Sequence, residues 1–382
     1  MKKQKIRFYA ALLCSSMVLS LVSMPVSAAE TGQLTNPPTS TEGPGSPESA
    51  SGNEAAAVLN GLYAALPVAN GVKEVATADE LAAALENNAN DTVKLTADIT
   101  INTTLTISRT VTLDLNGNVL KMTGGFSVIK VEADGDLTIQ DRNTTTQHTF
   151  NPHCKYQFWY IDMWELDKDG SEIVSGGVIT GGGGDQNNGG GVLVAGGTLT
   201  MAGGSIVGCS ARSRGGGVYL GKDSDTGKSG TFIMTSGSII GCAAQLGGGV
   251  YVTSGCTFVM ATSSNIHNCI ANNDGGGVIN HGTFQMRGGT ISTCTTVAFG
   301  GGGVCNNGTF IMSDGMIKGC TSPDGQYASG GGVRNSNQFT MTGGMIGDPD
   351  NENDASHVYN TSSQETTLTI LSLIHISEPT RL

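Results

Sequence analysis

From Gly189 to Gly347 the chain repeats one short phrase six times. Each copy opens with three glycines followed by a valine, at Val192, Val218, Val250, Val278, Val304 and Val333. An aromatic-x-methionine step comes next: Phe232–Met234, Phe258–Met260, Phe284–Met286, Phe310–Met312 and Phe339–Met341, with Leu199–Met201 as a looser first copy. An isoleucine follows, at Ile206, Ile239, Ile266, Ile291, Ile317 and Ile346. In five copies a cysteine lies three residues beyond it: Cys209, Cys242, Cys269, Cys294 and Cys320. The methionines are 33, 26, 26, 26 and 29 residues apart. A near-constant period of this size, built of short apolar steps and glycine turns, predicts stacked coils.

Each copy holds three apolar clusters of about strand length. The runs are too short and the glycines too dense for amphipathic helices. Side chains alternate along a strand, so Phe232 and Met234 share one face, as do Val218 and Leu220. Stacking in register places like on like about 4.8 Å apart. The interior then consists of Phe, Met, Ile and Cys columns, each coil relying on its neighbours to cover its edges. Asn280, Asn306 and Asn335 sit two residues after the valine in the last three copies, where their amides can bond from coil to coil. The cysteines read as small buried thiols in a narrow apolar column.

This cadence resembles the right-handed parallel β-helix proteins of the pectate-lyase-like superfold, most of all the adhesin-like surface proteins of bacteria. The resemblance runs over roughly Val93–Gly347. It implies an all-β, right-handed parallel β-helix with a short N-terminal capping helix. For function it leaves several classes open, because lyases, hydrolases, tailspikes and non-catalytic adhesins share the superfold.

In chain order, residues 1–29 read as a signal peptide. Lys2, Lys3, Lys5 and Arg7 precede the apolar run Phe8–Val22, and Val26-Ser27-Ala28 offers a cleavage site. Nothing after it is apolar for long enough to span a membrane. Residues 30–74, rich in Pro, Ser, Thr and Gly, read as a flexible linker. A capping helix is expected over 75–90, opened by the capping box of Thr77 and Glu80. The β-helix is expected over 91–360, with an aromatic-rich insertion at 140–175. Residues 361–370 are unassigned. The string LSLIHISEPTR within 371–382 resembles the translated adaptor of a sequencing library. Those residues are set aside, with the expectation that the natural chain continues differently.

The chain carries a net charge of −12, which speaks against nucleic acid as a partner. No GxSxG, HExxH or P-loop occurs, and no cofactor is implied. Asp223-x-Asp225-x-Gly227 starts like a calcium loop, but Met234 stands at the twelfth position. Asp348, Asp350, Glu352 and Asp354 alternate in one acidic loop and are weak calcium candidates. His148, His153 and Cys154 lack zinc spacing. The insertion carries Trp159 and Trp164, which suit either sugar stacking or structural cover. Tyr219 and Tyr251 should stack on an outward flank. The expected function is a secreted or cell-surface, non-catalytic, adhesin-like protein that contacts an extracellular glycan or surface protein. A polysaccharide lyase or glycoside hydrolase and a carbohydrate-binding module are the alternatives.

Overall fold

The computed structural model describes residues 71–155, 162–183, 188–323, 330–347, 357–361 and 367–370. Among them the phrase read from the sequence becomes a parallel β-helix. A 15-stranded sheet, a 9-stranded sheet and a 4-stranded sheet run along it, and every strand pair in them is parallel.

The register places like on like. Phe232, Phe258, Phe284, Phe310 and Phe339 are consecutive partners, as are the methionines two residues later. The phenylalanine rings stack 4.8, 4.8, 4.8 and 4.6 Å apart, within 7° of parallel. Both columns are fully buried. The column extends in the aliphatic residues Leu199, Leu137 and Val111 toward the N-terminus.

In four of the five long strands, such as Thr231–Ile240, the sheet bends between the methionine and the isoleucine at a glycine of positive φ; Gly237 has φ 93°. The strand Thr257–His267 turns the same corner with Ser264 in that place, and its hydroxyl donates to the Met234 carbonyl 2.7 Å away.

Two glycines of each triplet have separate reasons to be glycine. The first takes the left-handed conformation, with φ of 65° at Gly215 and 66° at Gly247, which an L side chain resists. The third lies against the isoleucine and cysteine columns. A Cβ on Gly249 would come within 2.9 Å of Ile266 Cγ2 and 3.4 Å of Cys269 Sγ. Cys209, Cys242, Cys256, Cys269, Cys294, Cys305 and Cys320 are buried thiols. In the repeat column each thiol donates to the isoleucine carbonyl of the preceding coil, as from Cys269 to Ile239 at 3.7 Å.

The helix α1 spans Ala78–Glu86 and buries Leu81, Ala84 and Leu85 against the first coils. The Thr77 hydroxyl accepts from the Glu80 N–H, and Glu80 Oε2 accepts from the Ala76 N–H at 2.9 Å. Arg109 holds the other end, donating to the Leu85 and Ala84 carbonyls at 2.7 and 3.2 Å. A cation there satisfies helix carbonyls that have no intrahelical partner.

Two boundaries differ from the sequence reading. Val72–Val75, divided in the sequence reading between the linker (to residue 74) and the capping helix (from residue 75), is a strand paired in parallel with Thr92–Leu95. Only Val75 of its four residues is buried, so no alternation marks it. Thr367–Ile370, left unassigned, pairs with Gln338–Met341; its Leu-x-Ile is an aliphatic form of Phe-x-Met.

The break in the pattern after Gln140 is a three-stranded antiparallel strap: Gln147–Lys155, Asp162–Leu166 and Glu172–Ser175. Phe150, Trp164 and Val174 pack on Val119, Val178, Val207 and Ile240. These last four face outward from the coil, and they are apolar where the strap lies on them. Further along, the position of Ile240 is taken by His267, Ser292 and Lys318.

Candidate functional site

The 4-stranded sheet and the 9-stranded sheet meet at the glycine triplets. The residues just before three of the described triplets and those just after the valines point outward, and they meet across the corner. The first column is Arg214, Leu246, Asp274. The second is Tyr219, Tyr251, Ile279, Cys305, Arg334. Contacts are staggered by one coil from Arg214 to Tyr251 and by two from Asp274 to Arg334, filling the corner as a seam outside the tube.

The seam changes character along its length. At its N-terminal end the rings of Tyr219 and Tyr251 stack 5.5 Å apart at 22°. The Arg214 guanidinium lies 5.4 Å from the Tyr251 ring centre, a cation over an aromatic face. The His281 ring is 5.4 Å from Tyr251 on another side. In the middle Leu246, Tyr251, Ile279 and Cys305 form an apolar cluster. At the far end Arg334 donates to Asp274 Oδ1 at 3.3 Å and to Cys305 Sγ at 3.8 Å.

Burial sets the electrostatics. It raises the Tyr251 phenol, against the pull of Arg214. It lowers His281, and Arg214 pushes the same way. It raises the Asp274 carboxyl, against Arg334. Burial, with Asp274 alongside, pushes the Cys305 thiol up to about 12. A thiol held that high stays protonated and is a poor nucleophile.

The sequence singled out four aromatic binding candidates. Tyr219 and Tyr251 stack as the alternation requires, but Tyr251 is only 7% exposed. The stacked tyrosine, the guanidinium and the imidazole enclose it, so Tyr251 offers no open ring face. Tyr219 is half-buried. Trp164 is also 7% exposed, set edge-on to His267 at 6.3 Å and tilted against Phe150 at 6.4 Å. Its backbone N–H donates to the Gly241 carbonyl at 3.0 Å. The structure does not bring Trp164 to the tyrosine flank: it serves as strap cover. Trp159 lies outside the described residues, as do Asp348, Asp350, Glu352 and Asp354.

Sequence reasoning missed Arg214, Leu246 and His281 as seam residues. A signal was present for the first two, since each directly precedes a glycine triplet that turns the chain back.

Three carboxylates outside the seam hold turns. Asp223 Oδ1 accepts from the N–H groups of Asp225 and Thr226 and from the Thr226 hydroxyl, and these bonds lower its pKa. Asp141 accepts from the N–H groups of Gly117 and Gly177 at 2.7 and 2.8 Å. Asp114, fully buried, accepts from the Asn116 N–H at 3.0 Å.

No curated protein and no solved structure matches the chain. A family model does match part of it, starting at the strand that precedes α1 and ending in the coil beyond the strap. Residues 72–181, the head of this parallel β-helix, match the family described as the pectate lyase-like adhesive domain.

Proposed function

We propose that this protein is a non-catalytic, adhesin-like β-helix displayed on a bacterial surface, where it contacts host or environmental glycans or proteins. The observation that carries this reading is the match of residues 72–181 to an adhesive domain, continued by coils of the same parallel architecture through Ile370. Four of the described carboxylates support it. Those at Asp114, Asp141 and Asp223 hold turns, and Asp274 is paired with Arg334. A signal peptide over 1–29 and a polar linker over 30–71 fit export and display away from the envelope.

Antibodies raised against residues 72–370 test the display. Labelling of intact source cells is the expected result; antigen found only inside lysed cells would overturn it. The contact is tested by coating beads with purified residues 30–370 and measuring their retention on host-cell and glycan surfaces against uncoated beads.

A further inference from the structure

Five of the buried thiols lie in one line. Cys209, Cys242, Cys269, Cys294 and Cys320 stand opposite one another in consecutive coils, because the residues on either side of them are register partners. Every thiol donates to the isoleucine carbonyl of the coil before it, at 3.7 to 3.9 Å. One rotamer therefore repeats down the column. The sulfurs follow at the coil repeat, which the phenylalanine rings set at 4.8 Å. The Cys242 thiol meets those of Cys209 and Cys269 on either side, and Cys269 meets Cys294 beyond.

Such a column does not suit disulfides. In-register translation holds the Cβ atoms at the same 4.8 Å repeat, whereas a disulfide draws them to about 3.8 Å and the sulfurs to about 2 Å. The spacing does suit an ion between two sulfurs. Two metal–sulfur bonds of about 2.3 Å each, set in line, span about 4.6 Å. Among the described residues no three His, Cys, Asp or Glu side chains gather at one point. An ion that needs four ligands, as zinc does, therefore finds no site here. An ion satisfied by two sulfurs finds one between each pair of neighbours.

We propose that the thiol column binds soft monovalent cations of the copper(I) and silver(I) class, each held between the sulfurs of two consecutive coils. Thiolate sulfur selects such ions. The charges balance within each pair. One thiol releases its proton to solvent and binds as the thiolate, and the other binds as the neutral thiol. One thiolate, one thiol and one monovalent ion carry no net charge together. That neutrality is required where all five cysteines are buried, since an unbalanced charge in an apolar column is costly. Five thiols taken in pairs hold two ions. The bare ion is no larger than a water molecule, so it needs a smaller opening of the coils than an organic thiol reagent does.

Silver nitrate in chloride-free buffer is the probe, and two double variants make the test. Cys242→Ala with Cys294→Ala leaves Cys209, Cys269 and Cys320, each two coils from the next. Cys209→Ala with Cys320→Ala leaves Cys242, Cys269 and Cys294 in succession. Both variants keep three column thiols, Cys256, Cys305 and every methionine, so only adjacency differs. Wild type should retain two silver ions per chain after dialysis, with one proton released for each. X-ray absorption should show two sulfurs around each ion. The variant with adjacent thiols should retain silver. The variant with separated thiols should bind it about a hundredfold more weakly, having lost the second ligand. Equal retention by the two variants would mean scattered binding to single thiols and overturns the proposal. A wild type that retains no silver overturns it as well. If either variant fails to fold, the coordination in wild type still decides, since any ligand set other than two sulfurs is fatal to the proposal.

Discussion

The side-chain amide of Asn280 donates to the side-chain oxygen of Asn306, 2.8 Å away in the next coil, and both residues are fully buried. Asn306 donates in turn to Asn335 at 2.7 Å, and Asn335 to Asn360 at 2.7 Å. Their column continues that of Leu220 and Val252, so an aliphatic stack becomes an amide ladder partway along. The change goes with the turn. Asn280 Oδ1 also accepts from the Gly282 N–H, and Asn306 Oδ1 from Gly308, closing the short turn into the next strand. Val252 precedes a longer turn through Gly255 and Cys256.

Asn306→Ala should therefore cost about 2–4 kcal/mol, since it leaves several buried amide partners unsatisfied. Asn306→Leu should be no better, because the two neighbouring amides are orphaned either way. Denaturant midpoints for both variants check this.

Phe284 lies between Phe258 and Phe310, 4.8 Å from each ring. Phe284→Ala should cost about 3–5 kcal/mol. The loss should extend beyond its own coil, because solenoid stability rests on nearest-neighbour interfaces. Amide exchange should accelerate in the flanking strands Thr257–His267 and Thr309–Lys318.

How much of this was legible is clearest at the corners. Phe, Met, Ile and Cys announced the interior because columns repeat a residue type at a fixed period. The outer seam did not announce itself: Arg214, Leu246 and Asp274 share no chemistry, and only the turn geometry makes them a column. Tyr219 and Tyr251 were placed on the correct face. Their enclosure was invisible, because Arg214 and His281 come from different coils. The strap was legible as a break in the pattern. What it covers became evident only when Val207 and Ile240 proved to face outward.

The position before each repeat cysteine is left-handed in every coil: Gly208, Gly241, Asn268, Thr293 and Gly319 have φ between 51° and 60°. At Gly241 a Cβ would come 2.1 Å from Trp164 Cγ. Gly241→Ala should push Trp164 off the coil and red-shift its fluorescence in a Trp159→Phe background. At Thr293, a β-branched residue strained by φ 51°, replacement by Asn should stabilise by about 1 kcal/mol. Thermal unfolding of the two variants should therefore shift in opposite directions.

His267, beneath Trp164, and His281, against Tyr251, are both lowered in pKa by burial. Each is held neutral in the fold, so the unfolded chain takes up protons first as pH falls through about 6.5. Their contribution to stability is complete above that pH. It declines as pH falls toward the folded values and then levels off. Urea midpoints between pH 8 and pH 5 should show this slope, and His267→Gln with His281→Gln should flatten it.

The five repeat cysteines are buried thiols. They should resist a thiol reagent in the native protein and react fully in denaturant. Reaction without denaturant would show that the coils open.

The in-register pairing at a 26-residue period also makes the molecule a ruler. Excising the 26 residues from Thr257 to Gly282 would set Thr283 directly after Cys256, with Phe284 on Phe232 and Met286 on Met234, the same neighbours each has now in kind. No new contact has to be invented for a shorter or longer version. Length changes in steps of one coil, so unequal recombination between copies of the repeat can lengthen or shorten the β-helix without passing through an unfolded intermediate sequence.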